Sequence, residues 1–241
     1  MPFITGNPTI SSLDLYSSST IAQMELGQRI CGDFGTEYRY VKAGGTALVV
    51  ANVLQSPAYG TDHNALVVVS GTAGEREVVV TLASSAVTAD QYAGGSMSIN
   101  VTPGLSQTYM ILGHAAQSSA TGNVTLSLAE PLRSTLSTSS RVALKLSPFN
   151  GVIASPATTL TGSSVGVAVY AIPASEFGFI QTKGVTSVIS DNSSIIMGSQ
   201  VEVSLSVASA AALAGTAATA YLGVALQAKD NGKPITVDLN I

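Results

Sequence analysis

The sequence predicts an all-β protein. Apolar residues alternate with polar ones along most of the chain, turn residues punctuate the alternation at short intervals, and no segment sustains a capped 3.6-residue apolar repeat. A period of two is what a strand with one buried face requires, because successive side chains point to opposite sides.

Met1 to Gln23 stands apart. It carries Pro2, Gly6, Pro8 and the run Ser17-Ser18-Ser19, with Asp14 its sole charge, and Phe3, Ile4, Ile10, Leu13, Leu15 and Tyr16 are scattered through it. That is too polar for a core element and too apolar and uncharged for an ordinary disordered tail. Residues 1–25 read as an extended arm that orders against a partner, or alternatively as an edge strand of their own domain.

Gly32-Asp33-Phe34-Gly35 then turns the chain into a strand at Thr36–Lys42, on which Tyr38, Tyr40 and Lys42 share a face. Packing in a core that has no Trp is one reading of the tyrosines; a contact surface for a partner is the other. The β-branched runs Ala65–Val69 and Val78–Val80 are continuous and suit strands covered on both faces. Glu75 and Glu77 flank Arg76 and read as a solvated sheet edge. Gly94-Gly95 and Pro103-Gly104 bracket Met97–Val101, and Gly122-Asn123 opens a strand in which Val124, Leu126 and Leu128 alternate with polar residues. Val142, Leu144 and Leu146 do the same further on. Ala208–Ala220 has no charged face and carries Gly215, which favours a loop over a short helix. Asp230-Asn231-Gly232-Lys233 signals a hairpin between Tyr221–Ala228 and Pro234–Leu239, since Asn-Gly accepts the positive φ angles of a type I′ turn. Ile235, Val237, Leu239 and Ile241 mark one face of the last strand.

Composition narrows the function. The 241 residues are 46% apolar and only 10% charged, against roughly 25% charged in an average soluble domain, and mean hydropathy is +0.39. Such a chain either enters a membrane or covers itself with small polar residues and buries surface against partners. Val207–Leu226 is the sole candidate span, and it is mostly Ala, with Ser209, Gly215, Thr216 and Thr219 diluting it, so no membrane partner is expected. Met1–Thr5 lacks the basic and apolar regions of a secretory signal, so folding in a cytoplasm is expected. Fourteen acids against ten bases give a net charge of −4 with no basic block, which argues against nucleic acid as a partner. Cys31, the single cysteine, excludes an internal disulfide and reads as a small buried hydrophobe.

Catalytic chemistry finds few ingredients. His63, in the polar stretch Gly60–Asn64, and His114, at a strand end, are the only histidines, and both read as solvent-exposed. No G-x-S-x-G elbow, phosphate loop or dinucleotide fingerprint is present. Asp33, Glu37, Glu75, Glu77 and Glu130 are the carboxylates from which a glycoside-hydrolysing pair could come, and no metal site or cofactor is expected. The chain is read as a non-enzyme.

A resemblance adds to this. Thr46–Val53 (TALVVANV), Gly166–Ile172 (GVAVYAI), Phe177–Thr186 (FGFIQTKGVT), Gly198–Val203 (GSQVEV) and Leu222–Leu239 together resemble the small β-barrel of head decoration, or cement, proteins of tailed double-stranded-DNA phages. Leu26–Lys42, Ala89–Gly95, Gln107–Leu112, Thr125–Leu132 and Leu146–Val152 look like segments of related phage virion structural proteins. The resemblance implies a small antiparallel β-barrel or sandwich, split between residues 26–57 and 149–241, with a β-rich insertion at 58–148. It also implies a homotrimer that binds the major capsid protein on the outer capsid surface after synthesis in a bacterial cytoplasm. On this reading Phe3, Ile4, Ile10, Leu13, Leu15, Tyr16, Tyr38 and Tyr40 contact the capsid or a sister subunit. A receptor- or glycan-binding module of a spike or fibre is the alternative.

Overall fold

The computed structural model describes residues 15–191, 194–215, 219–228 and 233–241. Its chain divides into two compact units, Met1–Ala58 with Pro148–Ile241, and Tyr59–Ser147. The protein is all-β, and alternation is the reason each strand forms.

In the split unit the strands are β1 (Arg29–Cys31), β2 (Glu37–Ala43) and β3 (Val53–Gln55) before the insertion. After it the unit resumes, and its strands there are numbered once those of the insertion are given. The inserted unit contains β4 (Leu66–Ser70), β5 (Glu77–Thr81), β6 (Ser96–Val101), β7 (Thr108–His114), β8 (Asn123–Leu128) and β9 (Arg141–Lys145). The split unit then adds β10 (Asn150–Ala154), β11 (Ser164–Ala168), β12 (Phe177–Ile189), β13 (Gln200–Val203), β14 (Ala211–Leu213), β15 (Tyr221–Ala225) and β16 (Pro234–Asn240).

The inserted unit is a closed barrel in the order β4-β5-β8-β7-β6-β9, every neighbouring pair antiparallel. Its interior is filled by alternate residues of each strand, among them Leu66, Val68, Val78, Val80, Leu126 and Leu144. The valine runs were expected to be covered on both faces. They are covered on one: Val68, Val78 and Val80 are fully buried, while Val67 and Val79 are half-buried and Val69 is exposed. Closure also removes the edge expected at Glu75–Glu77, since β5 pairs with both β4 and β8 and the Arg76 guanidinium donates to the Ala129 carbonyl.

The split unit has a different construction. β2, β10, β3, β11 and β12 pair in that order, and β12 pairs back onto β2, so five strands close on themselves. Val41, Leu54, Val152, Val165, Ile172 and Ile180 fill the enclosed core. The β2–β10 pair is parallel, which departs from an all-antiparallel expectation. A parallel pair needs a long crossover, and the chain between β2 and β10 supplies one. The 13-residue β12 serves two sheets: its first half pairs with β2 and its second half with β16, from which β15, β13 and β14 continue.

Ala211–Leu213, expected in a loop, is instead strand β14 on β13; Val203↔Ala211 and Val201↔Leu213 are partners. Alanine's weak strand preference is overridden by burial of Ala210 and Ala211. β15 and β16 are antiparallel neighbours; the turn residues Asp230, Asn231 and Gly232 lie outside the described residues.

Candidate functional site

The outward face of the split unit's barrel carries an aromatic cluster. In β2, Tyr38 and Tyr40 point one way while Val41 and Ala43 enter the barrel core. β12 presents Phe177 and Phe179 on the same outer face, in register with Lys42 and Tyr40. Tyr40 lies 6.1 Å from Phe177, nearly parallel at 11°, and 5.0 Å from Phe179 at 56°. The Lys42 ammonium sits 5.5 Å from the centre of the Phe177 ring, a cation–π arrangement.

Residues 15–26 lie over these rings. Leu15 is buried against Ile30, Tyr38, Tyr40 and Phe179, with Met24 and Leu26 packed alongside. Ser19 exchanges two backbone hydrogen bonds with Phe177, at 3.0 and 2.8 Å. The Gln23 N–H donates to Tyr40 Oη at 2.9 Å, and Ser18 Oγ donates to Glu176 Oε2 at 2.6 Å. Burial pushes the phenols of Tyr38 and Tyr40 above their usual range. Between this strap and the strands runs a groove of about 270 Å³ lined by Ser17–Ser19, Gln23, Met24, Tyr40, Phe177 and Phe179.

This placement corrects part of the expected contact surface. Tyr38 and Tyr40 are 6% and 2% exposed, because the chain's own strap covers the face they share. Leu15 is buried in that same cluster, whereas Tyr16 is half exposed at 51%. Phe3, Ile4, Ile10 and Leu13 lie outside the described residues. Sequence reading passed over Phe177 and Phe179, although i, i+2 spacing on a strand places them on one face.

The histidines are also corrected. His63 and His114 are 3% and 7% exposed, and Tyr92 stands between them. Tyr92 Oη is 2.5 Å from His63 Nδ1, so the hydroxyl donates and Nδ1 accepts when Nε2–H is given to the Ser85 carbonyl at 3.1 Å. The Tyr92 N–H donates to His114 Nε2 at 3.1 Å, while His114 Nδ1–H faces the Ala115 carbonyl at 2.9 Å. Asp90 Oδ1 accepts from the His114 backbone N–H at 2.9 Å. Every ring nitrogen is engaged, which suits a structural clasp within the inserted barrel. Among the described residues no group of three or more His, Cys, Asp or Glu is placed to hold a metal ion.

The β1–β2 turn displays a different feature. Phe34 has φ 58° and ψ 26°, and Gly35 has φ 76°, a type I′-like geometry closed by the Thr36 N–H donating to the Asp33 carbonyl at 3.3 Å. A left-handed L-residue costs roughly 1–2 kcal/mol, and Asn, Asp or Gly usually takes the position. Phe34 takes it with its side chain fully exposed, at 103%. The segment reads as a turn from sequence, and its aromatic tip was passed over.

No family model, curated protein or solved structure matches this chain.

Proposed function

We propose that this chain is a virion structural protein that binds the outside of a tailed-phage capsid and stabilises the shell, working as a homotrimer and without catalysis. One observation carries the reading: a β-only scaffold that is 10% charged displays large apolar side chains on its surface. Ile196, Met197 and Val49 of the split unit are 64%, 70% and 55% exposed, and Met110 and Leu112 of the inserted barrel are 57% and 61% exposed. Apolar side chains left open on a weakly charged surface suit burial against other subunits. The segments that resemble decoration proteins add to this support.

The mechanism is mechanical. Contacts of standard size, about 1,600 Å² in total, raise the free energy needed to separate neighbouring capsid subunits. Three linked copies turn weak contacts into avidity. The major capsid protein is the partner and the outer capsid surface the location, reached after synthesis in the host cytoplasm. Among the described residues no helix is long and apolar enough to cross a membrane. The glycan-binding alternative asked for exposed tyrosines at 38 and 40, and both are buried.

Purified virions provide the test. Quantitative mass spectrometry is expected to find the chain in proportion to capsid subunits, and heads stripped of it by mild denaturant to release DNA at lower temperature. Recovery only with tails, or stripped heads as heat-stable as decorated ones, would overturn the proposal.

A further inference from the structure

Phe34 and the aromatic groove are unlike patches on the same unit, and each lacks what the other offers. The turn presents a fully exposed ring in a strained backbone position, which marks a residue kept for contact. The groove, at about 270 Å³, falls below the roughly 300–1,000 Å³ of a typical small-molecule site and has room for one ring. Charge agrees with shape. Asp33 is exposed beside Phe34, and Lys42, at the Phe177 end of the groove, makes no ion pair among the described residues. A ring seated on Phe177 brings the neighbouring carboxylate toward that ammonium.

Phe34 is absent from the lining of the groove and fully exposed, so it does not fill the groove of its own chain. Phe34 belongs to the turn that precedes β2, whereas Tyr40 and Lys42 lie well inside that strand. We infer that Phe34 of one copy inserts into the groove formed by Met24, Tyr40, Phe177 and Phe179 of the next, with Asp33 facing Lys42. Knob and groove are different surfaces, so the contact is head-to-tail and builds a closed ring when the rotation closes. The inference rests on the self-association proposed above and names the contact that makes it.

Sedimentation velocity over a concentration series tests it without capsid. Wild type is expected to assemble, and Phe34→Ala and Phe34→Asn to weaken association at least about thirtyfold, as loss of an interface hot spot does. Asn suits the left-handed turn, so an Asn variant that melts no lower than wild type separates lost contact from lost fold. Asp33→Lys and Lys42→Glu should each weaken assembly, and the double exchange should recover it. A wild type monomeric at all concentrations, Phe34 variants that assemble normally, or a double exchange that recovers nothing would overturn the inference. Binding to stripped heads is read separately, so failure of the shell-binding proposal is distinguishable from failure of this contact.

Discussion

Three buried tyrosines have a phenol pKa raised above its usual range: Tyr38 and Tyr40 under the strap, and Tyr92 between the two histidines. Burial is the largest cause of the raised pKa at each, above an ordinary value of 10.0; the Asp62 carboxylate adds to it at Tyr92, while hydrogen bonds with Thr36 and Gln23 oppose it at Tyr38 and Tyr40. Below the ordinary value these phenols are neutral in both folded and unfolded chains, and their contribution to stability is complete. Above it the unfolded chain ionises first, so stability falls as pH rises from about 10 through the folded-state values. Phenolate absorbance should therefore show a late-titrating group, and the urea midpoint should drop across the same alkaline range. Simultaneous titration of all eight with the fold intact would contradict this. Nothing local in the sequence announces the Tyr92 clasp, because barrel closure brings together His63, Tyr92 and His114 from distant segments. Tyr38 and Tyr40 were legible as sharing a face. Which side of the sheet that face meets depends on the strap, whose contacts leave no periodic trace.

β12 shows how one element joins two sheets. Its pairing with β2 slips between Gln181 and Lys183, and Gly184 follows with φ +88°. A Cβ there would meet Thr36 Cγ2 at 2.9 Å and its Cα at 3.1 Å. Glycine is thus required both for the backbone angle and for the approach of the β1–β2 turn. Gly184→Ala should destabilise the protein by about 1–3 kcal/mol, the range for a strained backbone position, read as a lowered urea midpoint. An unchanged midpoint would mean that the bend has another cause. Phe177–Thr186 was legible only through its resemblance to a strand of a small β-barrel, and the Gly184 hinge lay inside that segment unmarked. Continuous valine runs were less legible: Val67 to Val69 have the same composition whether one face or two are covered. Only the pairing partners decide that, and those are set by strands far away in sequence.

In each unit the strands on either side of the insertion point pair antiparallel. β3 and β10, which flank the insertion, are antiparallel partners through Ile153↔Gln55 and Ala154↔Leu54, so the split unit closes its hairpin across the insertion point. In the inserted barrel, its first and last strands, β4 and β9, pair through Leu66↔Val142, which brings that unit's own ends together. Its core draws only on residues between Leu66 and Leu146, and its hydrogen-bond circuit is complete without another strand. At roughly 90 residues it is long enough to fold without a disulfide or metal. Residues 59–147 expressed alone should therefore give a dispersed amide spectrum and a single cooperative melt. They should also retain the His63–Tyr92 and Tyr92–His114 contacts, all of whose partners lie within the piece. His114→Ala in that fragment leaves the Tyr92 N–H without its acceptor, at an expected cost of about 1–3 kcal/mol. A fragment that is compact but binds hydrophobic dye and melts without cooperativity would show that barrel closure alone does not stabilise this core, and that the split unit's strands are required for it.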